Sequence, residues 1–229
     1  KKYDAAYLKN TSKKPELLQF WSDRINFGNS VTVPNHTQSL FQTLTLTDIS
    51  FREQEGLIEF SNGENKEYGA ILRINTLPET TSQEMMNVLS QARHNFVVVQ
   101  NIQLHDDEKY ATKLTKDINS MSSLVNSAFG NFIGGRHIFG PHYEEYEECV
   151  KNIRAGNTRF LKHQFMVLVR AFSKEALEKA VQDIQNLMAV SYIHARKETK
   201  NLENAFWSQF PTMEEMNEAR SNDIAIQDV

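Results

Sequence analysis

The sequence predicts a mixed α/β (α+β) fold, in which helices cover an antiparallel or mixed sheet. Strand-like and helix-like segments alternate after residue 66, and the helical segments carry apolar residues spaced three and four apart. Read in order, the segments give β-α-β-α-α-β-α-β-α, which favours split β-α-β units of ferredoxin-like type. We therefore predict a helix and strand/hairpin segment over residues 1–65, followed by an α/β domain over residues 66–229.

The first 35 residues are polar apart from one apolar knot, which comprises Leu17, Leu18, Phe20 and Trp21. Pro15 can occupy the first turn of a short helix that carries this knot. Residues 40–60 partly alternate between polar and apolar, which predicts one or two strands of an antiparallel hairpin or meander. The Ser-Asn-Gly sequence at residues 61–63 then signals a turn.

The next elements are two strands, each followed by a helix. The strands are predicted over residues 68–77 and 96–104. A capping box at residues 81–84 begins the first helix, which carries Met85, Met86 and Leu89. Asp106 or Asp107 caps the second, longer helix. Its apolar positions are Ala111, Leu114, Ile118, Met121 and Val125.

The last third begins with a Gly-rich and aromatic-rich stretch over residues 129–142, which predicts a connection between helices. A helix ending at Gly156 and a strong strand over residues 161–172 follow. Ser173 is predicted to cap an amphipathic helix. A short strand over residues 190–195 and a final helix ended by Pro211 complete the order. That final helix carries Leu202, Ala205 and Phe206.

Composition excludes several classes of protein. The chain of 229 residues has a net charge of −4, which argues against a basic surface for direct nucleic-acid binding. Its single cysteine, Cys149, cannot form an internal disulfide, as expected in a reducing compartment. Unbroken apolar runs reach about five residues, whereas a spanning helix needs roughly 20. These two features predict a cytosolic segment. Because the chain starts without Met and ends in a polar stretch, we expect it to be a piece of a larger protein.

No catalytic, cofactor or metal site is predicted. None of the nine glycines is followed by the Lys of a phosphate-binding loop, so residues 129–140 are interpreted as a flexible or partner-docking loop. His137, His142 and Cys149 do not have the spacing of a zinc site. Four glutamates, Glu144, Glu145, Glu147 and Glu148, are interpreted as a solvated helix start, with an acidic docking patch as the alternative. Cys149 is expected to pack in its helix.

Three apolar groups are candidate interfaces, because exposed apolar patches usually mark interaction sites. The first is the knot at residues 17–21, which could pair with a membrane subunit as a short amphipathic helix in a groove. The other two comprise Phe132, Ile133, Ile138 and Phe139 in the Gly-rich stretch, and Phe206, Trp207 and Phe210 near the C-terminus. For this last cluster, core packing is the alternative interpretation.

The C-terminal cluster also carries a resemblance to a known family. Arg-Lys-Glu at residues 196–198, followed by Leu-Glu-Asn-Ala-Phe-Trp-Ser-Gln-Phe-Pro at residues 202–211, resembles a signature of the CagE/TrbE/VirB family. In that family an Arg-Glu pair precedes Leu-x-x-Ala-Phe-Trp-Ala-Gln-Leu-Pro-Gly. Ser208, Phe210 and Thr212 depart from this pattern, as in a divergent branch such as that of the Dot/Icm system. The resemblance covers residues 66–225, with Tyr68-Gly69, residues 77–81 and residues 172–177 in matching order.

The resemblance implies a part of a type IV secretion or conjugation ATPase. The parent would hydrolyse ATP with Mg²⁺ in a C-terminal motor domain beyond Val229, so no catalytic residue carries over to this chain. It would form hexamers, or hexamers of dimers, at the cytoplasmic face of the inner membrane. The present segment would be a non-catalytic domain that docks the motor on inner-membrane subunits, other secretion ATPases and neighbouring protomers.

Two alternatives from other classes remain open on sequence alone. One is a ferredoxin-like ligand-binding or regulatory domain, which predicts a pocket that binds a small molecule. The absence of a phosphate-binding loop and of a Rossmann glycine pattern counts against a nucleotide as that ligand. The other is an enzyme with a site that the sequence does not reveal, which would require convergent titratable groups.

Overall fold

The structure is a computed structural model that describes residues 10–11, 14–26, 47–63, 65–76, 84–126, 135–210 and 220–227. Within these ranges the strands are β1 (Asn10–Thr11), β2 (Lys14–Pro15), β3 (Asp48–Arg52), β4 (Leu57–Ser61), β5 (Lys66–Thr76), β6 (Asn95–Leu104), β7 (Thr158–Ala171), β8 (His194–Lys197) and β9 (Asn222–Gln227). The helices are α1 (Glu16–Ile25), α2 (Glu84–Leu89), α3 (Asp107–Asn126), α4 (Gly135–Arg154), α5 (Lys174–Val190) and α6 (Leu202–Trp207). The α+β fold class predicted from the sequence is confirmed.

The chain divides into two compact units. Unit 1 comprises Lys1–Val99 and Met166–Glu214, and unit 2 comprises Gln100–Phe165 and Glu215–Val229. The long strands β6 and β7 each contribute residues to both units. The predicted boundary after residue 65 lies between β4 and β5, which pair antiparallel in the sheet of unit 1.

Unit 1 has the strand order that split β-α-β units produce. Its strands are arranged β8-β5-β7-β6, with β5 antiparallel to both β7 and β8. Helix α2 connects β5 to β6, and α5 connects β7 to β8. The hairpin β3-β4 extends the sheet by pairing β4 with the first residues of β5. This arrangement is the ferredoxin-like order 4-1-3-2 with an added hairpin.

Helix α5 covers one face of the unit 1 sheet. It begins where the Ser173 hydroxyl oxygen accepts a hydrogen bond from the Ala176 amide at 3.1 Å, as the sequence predicts. Its buried positions recur every three or four residues and are Leu177, Ala180, Val181, Ile184 and Met188. They pack on β5, where alternate residues such as Ala70 and Leu72 are buried.

Helices α1 and α6 cover the opposite face of the same sheet. The core on this side comprises Ile25, Ile58, Phe60, Ile71, Met166, Leu168, Leu202, Ala205, Phe206 and Phe210. Phe206 is central because its ring centroid lies 5.8 Å from that of Phe60 and 5.6 Å from that of Phe51. Unit 1 therefore has a three-layer arrangement, with helices on both faces of one sheet.

Unit 2 is built on the helical pair α3 and α4. Asp106 caps α3 by accepting a hydrogen bond from the Lys109 amide at 3.1 Å. The buried residues Tyr110, Leu114 and Ile118 of α3 pack with Val150 and Ile153 of α4. This cluster also receives Phe160 of β7. The helical pair thus covers one face of a small sheet formed by the end of β6, the start of β7, and β9.

Three sequence predictions need correction. Helix α4 begins at Gly135, so residues 135–142 are helical and not part of a connecting loop, because helix propensity is a weak preference that tertiary packing overrides. The glutamates at residues 144–148 consequently lie in the middle of α4 rather than in its first turn. Strand β8 begins at His194, since the run that ends at Val190 completes α5. The sequence did not predict β9.

Candidate docking surfaces

The apolar knot of α1 has one attached side and one exposed side. Trp21 packs against the core of unit 1, with its ring centroid 5.3 Å from that of Phe210. Ile25 and Ser22 of the same helix are buried. On the other side Leu17 and Phe20 are each 37% exposed. The helix is thus held by its inner residues, while two apolar side chains face outward.

Charge and polar groups surround that exposed side of α1. The Arg24 guanidinium lies 5.2 Å from the Phe20 ring centroid, in cation–π range. The Gln19 side-chain amide donates a hydrogen bond to Asp23 at 2.8 Å, one turn along the helix. Leu18 is half-buried. The surface therefore combines a small apolar centre with polar groups at its border, as protein interfaces do.

The C-terminal aromatic cluster mainly belongs to the core. Phe206 is fully buried and Phe210 is 7% exposed, whereas Trp207 is half-buried. Edge-to-face contacts join the Phe206 ring to Trp207 at 5.1 Å and to Phe210 at 6.2 Å. These positions agree with the core-packing interpretation and leave Phe206 no side-chain surface for a partner.

The glutamate of the Arg-Lys-Glu sequence is buried as well. The Glu198 side chain is 3% exposed, and its Oε2 lies 3.1 Å from Nε of Arg73 in β5. The Glu198 amide also donates to the Ile71 carbonyl at 2.7 Å. Gly56 approaches so closely that a Cβ there would lie 2.7 Å from the Glu198 carbonyl oxygen, and its φ of +61° favours glycine. These contacts hold the segment around Glu198 against β5, and α6 begins shortly after it at Leu202.

The structure does not describe the side-chain contacts of the four candidate residues in the Gly-rich stretch. Phe132 and Ile133 lie outside the residues that the structure describes. Ile138 and Phe139 belong to the first half of α4, where the described part comprises the backbone and not the side chains. Their role as interface residues stays a prediction.

Unit 2 carries an apolar surface that sequence reasoning missed. Phe160 faces the helical pair, and Asp223 faces it too, because its carboxylate accepts a hydrogen bond from the Tyr110 hydroxyl at 3.1 Å. Side chains alternate along a strand, so the residues next to Phe160 in β7 and next to Asp223 in β9 point to the other face of the sheet. That face is called here the open sheet face. Its apolar residues are Ile102, Leu104, Leu161, Phe165, Ile224 and Ile226, and Arg159 shares it because it lies directly opposite Ile226.

The strand pairings bring these six residues together. Leu161 lies directly opposite Ile224 in the β7-β9 ladder, and directly paired residues share a face. The His105 amide donates to the Phe160 carbonyl at 3.2 Å, which brings Leu104 alongside Leu161. His163 Nε2 lies 3.3 Å from Oε1 of Gln100 on the same side. Burial lowers the pKa of His163, so its ring is uncharged at neutral pH and the face stays apolar.

The open sheet face is exposed in the folded chain. Ile102 is 59% exposed, Leu104 is 70% exposed and Ile226 is 37% exposed. Leu161, Phe165 and Ile224 are half-buried. The signal that could have revealed this surface is the alternation of Ile102 with Leu104 and of Ile224 with Ile226, which shows one apolar side per strand without showing what covers it.

The covered side of unit 2 contains a polar cluster and a cavity. His105 Nε2 lies 2.8 Å from Asp223 Oδ1, and the His105 ring stacks on Tyr110 with centroids 4.3 Å apart. The adjoining cavity has a volume of about 510 Å³ and is lined in part by Tyr146 and Cys149. Burial raises the pKa of Cys149, so its thiol is protonated at neutral pH and is a weak nucleophile.

In the part of the chain that the structure describes, no cluster of three or more His, Cys, Asp or Glu side chains could hold a metal ion. The side chains of His137 and His142 lie outside that part. Among the described helices, none combines the length and the apolar character needed to cross a membrane.

A comparison with protein families gives one match over most of the chain. The matching family model is described as "CagE, TrbE, VirB family, component of type IV transporter system", and it covers residues 6–218. No curated protein matches the chain. The matched range includes α1 and α6, whereas β9 follows it.

Proposed function

The chain belongs to the CagE, TrbE, VirB family of type IV transporter components, and we propose that it is a non-catalytic assembly and docking domain of a type IV secretion ATPase. In this proposal it attaches a motor domain outside the present chain to inner-membrane subunits, to other secretion ATPases and to neighbouring protomers, within a hexamer or a hexamer of dimers. The motor domain would bind ATP and Mg²⁺. The protein would act in the cytoplasm, at the periphery of the inner membrane.

The observation that carries this proposal is the two-sided character of α1. Trp21 and Ile25 anchor the helix on the core of unit 1, while Leu17 and Phe20 remain exposed. A rigidly held helix that presents apolar side chains loses little conformational entropy when it binds a partner. Such a helix is suited to permanent assembly in a multi-subunit transporter.

The test uses the full-length parent and its transporter subunits from the same host. Phe20→Asp places a charge at an exposed apolar position, and we expect it to reduce co-purification of the inner-membrane subunits at least tenfold while ATP turnover is retained. Tyr192→Asp is the matched control, because Tyr192 is 77% exposed on the same unit and lies outside the helix. Unchanged co-purification with Phe20→Asp, or ATP turnover by the isolated 229-residue chain, would contradict the proposal.

The cavity of unit 2 favours a second candidate function, a ligand-binding or regulatory domain, although the ferredoxin-like strand order itself belongs to unit 1. Its volume of about 510 Å³ lies in the range of small-molecule sites, and Tyr110, Tyr146 and Phe160 line it with aromatic rings. A ligand that binds there would raise the melting temperature of the isolated chain, since binding to the folded state stabilises it. With a library of uncharged and cationic small molecules as the probe, a rise that is lost in Tyr146→Ala would favour this second function over the first.

A further inference from the structure

We propose that the open sheet face of unit 2 is a docking site for one amphipathic helix of a partner protein. The inference rests on the proposed docking function and adds to it a defined surface and a defined kind of partner. It starts from the six apolar residues that three adjacent strands bring to one face. Ile102, Leu104 and Ile226 are the most exposed of them.

The size of the face selects the kind of partner. Three strands about 4.8 Å apart, each with about six residues at about 3.3 Å, cover roughly 300 Å². A stable protein dimer needs about 800 Å² on each partner, so the face is too small to hold a second copy of the chain by itself. A helix is about 10 Å wide, and three to four turns of one helix match the face in width and length.

Unit 1 provides an internal precedent for this occupant. Its sheet also has a face of aliphatic and aromatic side chains, and short helices cover it. Helix α6 presents Leu202, Ala205 and Phe206 to that sheet at positions three and four apart. The sheet face of unit 2 offers the same kind of surface, and no described element of unit 2 covers it.

The chemistry of the face also favours an apolar helix side over a charged segment. None of its six apolar members is charged, and the neighbouring His163 is neutral because burial lowers its pKa. The cationic side chain beside them is Arg159, which lies opposite Ile226 and whose Nε is 3.7 Å from the Asp107 carboxylate. The carboxylate of Asp223 points to the opposite face, toward Tyr110 and His105. A partner helix would therefore bind through leucine-like residues at i, i+3, i+4 and i+7, as helix-in-groove recognition does.

The test measures binding of a labelled peptide to the purified chain by fluorescence anisotropy. The probe is an 18-residue amphipathic helix with leucines on one side and equal numbers of Glu and Lys on the other, and a scrambled peptide of the same composition is its control. We expect saturable binding of the amphipathic peptide, with slower amide hydrogen exchange at residues 100–104, 158–165 and 222–227.

The double variant Ile102→Lys/Leu104→Lys should weaken that binding at least tenfold. Phe172→Lys is the matched control because Phe172 is 75% exposed on unit 1, and it should bind the peptide as the unmodified chain does. Equal binding of both peptides, or of the double variant, would overturn the inference. So would a concentration-dependent dimer that the double variant abolishes, because the occupant would then be a second copy.

A parallel co-purification separates this inference from the proposed function. If transporter subunits co-purify equally with the parent and with its double variant, and the peptide does not bind the open sheet face, the inference fails and the docking function stands. If the peptide binds the face and no transporter subunit co-purifies with the parent, the docking function fails and the helix-binding surface stands.

Discussion

Unit 1 and unit 2 use the two faces of their sheets differently. Unit 1 covers one face with α5 and the other with α1 and α6, so that Phe60, Ile71 and Phe206 are buried. Unit 2 covers one face with α3 and α4, while Ile102 and Leu104 on the other remain exposed. The difference teaches that the family signature around α6 serves to close a core, and that the exposed apolar residues lie elsewhere.

The largest expected effect comes from opening the covered face of unit 1. Phe206→Ala removes a fully buried ring, and such truncations lower the free energy of unfolding by about 3–5 kcal/mol. Urea unfolding followed by far-UV circular dichroism measures this loss. Phe172→Ala is the control, because its 75% exposed ring should change stability by less than about 0.5 kcal/mol. Equal stability of the two variants would show that α6 is not needed to close unit 1.

A smaller loss is expected from the ion pair next to α6. Glu198→Ala removes the carboxylate that contacts the 21% exposed Arg73 side chain, which should lower the free energy of unfolding by about 1–3 kcal/mol. The control is Glu178→Ala, since Glu178 is 61% exposed and pairs with Lys197 at the surface. That change should cost no more than about 1 kcal/mol. Urea unfolding of both variants measures whether loss of the buried ion pair lowers the free energy of unfolding more than loss of the exposed pair.

The smallest effect concerns the third strand of the unit 2 sheet. Asp223→Asn weakens the contacts of β9 with His105 and Tyr110, and the expected loss is about 1 kcal/mol. The amides of residues 222–227 should then exchange several-fold faster, while those of α3 keep their rates. Asp107→Asn, whose carboxylate contacts the exposed Arg159 at 3.7 Å, is the control. If β9 exchanges at the unmodified rate, its position does not depend on Asp223.

Local chemistry accounts for the elements that the sequence predicted well. Ser173 and Asp106 each accept a backbone amide hydrogen bond at a helix start, as short polar side chains do. Gly156 has φ of +74° just after α4, the conformation for which glycine is favoured. The period of three and four residues in α5 identified its buried side without knowledge of the sheet. Such features depend on neighbours along the chain, which the sequence shows directly.

The features that the sequence did not reveal depend on partners far along the chain. The alternation of Ile224 and Ile226 occupies one six-residue strand in a polar tail, and only its pairing with residues 158–163 makes it part of a sheet. The burial of Glu198 follows from Arg73, which lies more than a hundred positions earlier. The open sheet face forms only when three strands are aligned, so no single segment of the sequence reveals it. The Gly and Pro residues of α4 favour a loop locally, and packing against α3 overrides that preference.

Unit 1 is built from two separate stretches of the chain, which has a consequence for synthesis on the ribosome. Residues 100–165 of unit 2 are continuous, so the hairpin of α3 and α4 can pair as soon as it emerges. Phe60 and Ile71 are made early, but Phe206, the α6 residue that covers them, is made only after residues 100–165 of unit 2. Until then the nascent chain exposes an aromatic and aliphatic surface, which is the kind that chaperones bind. Emergence of α6 from the ribosome, rather than translation of residues 1–99, sets the moment at which unit 1 becomes safe from aggregation.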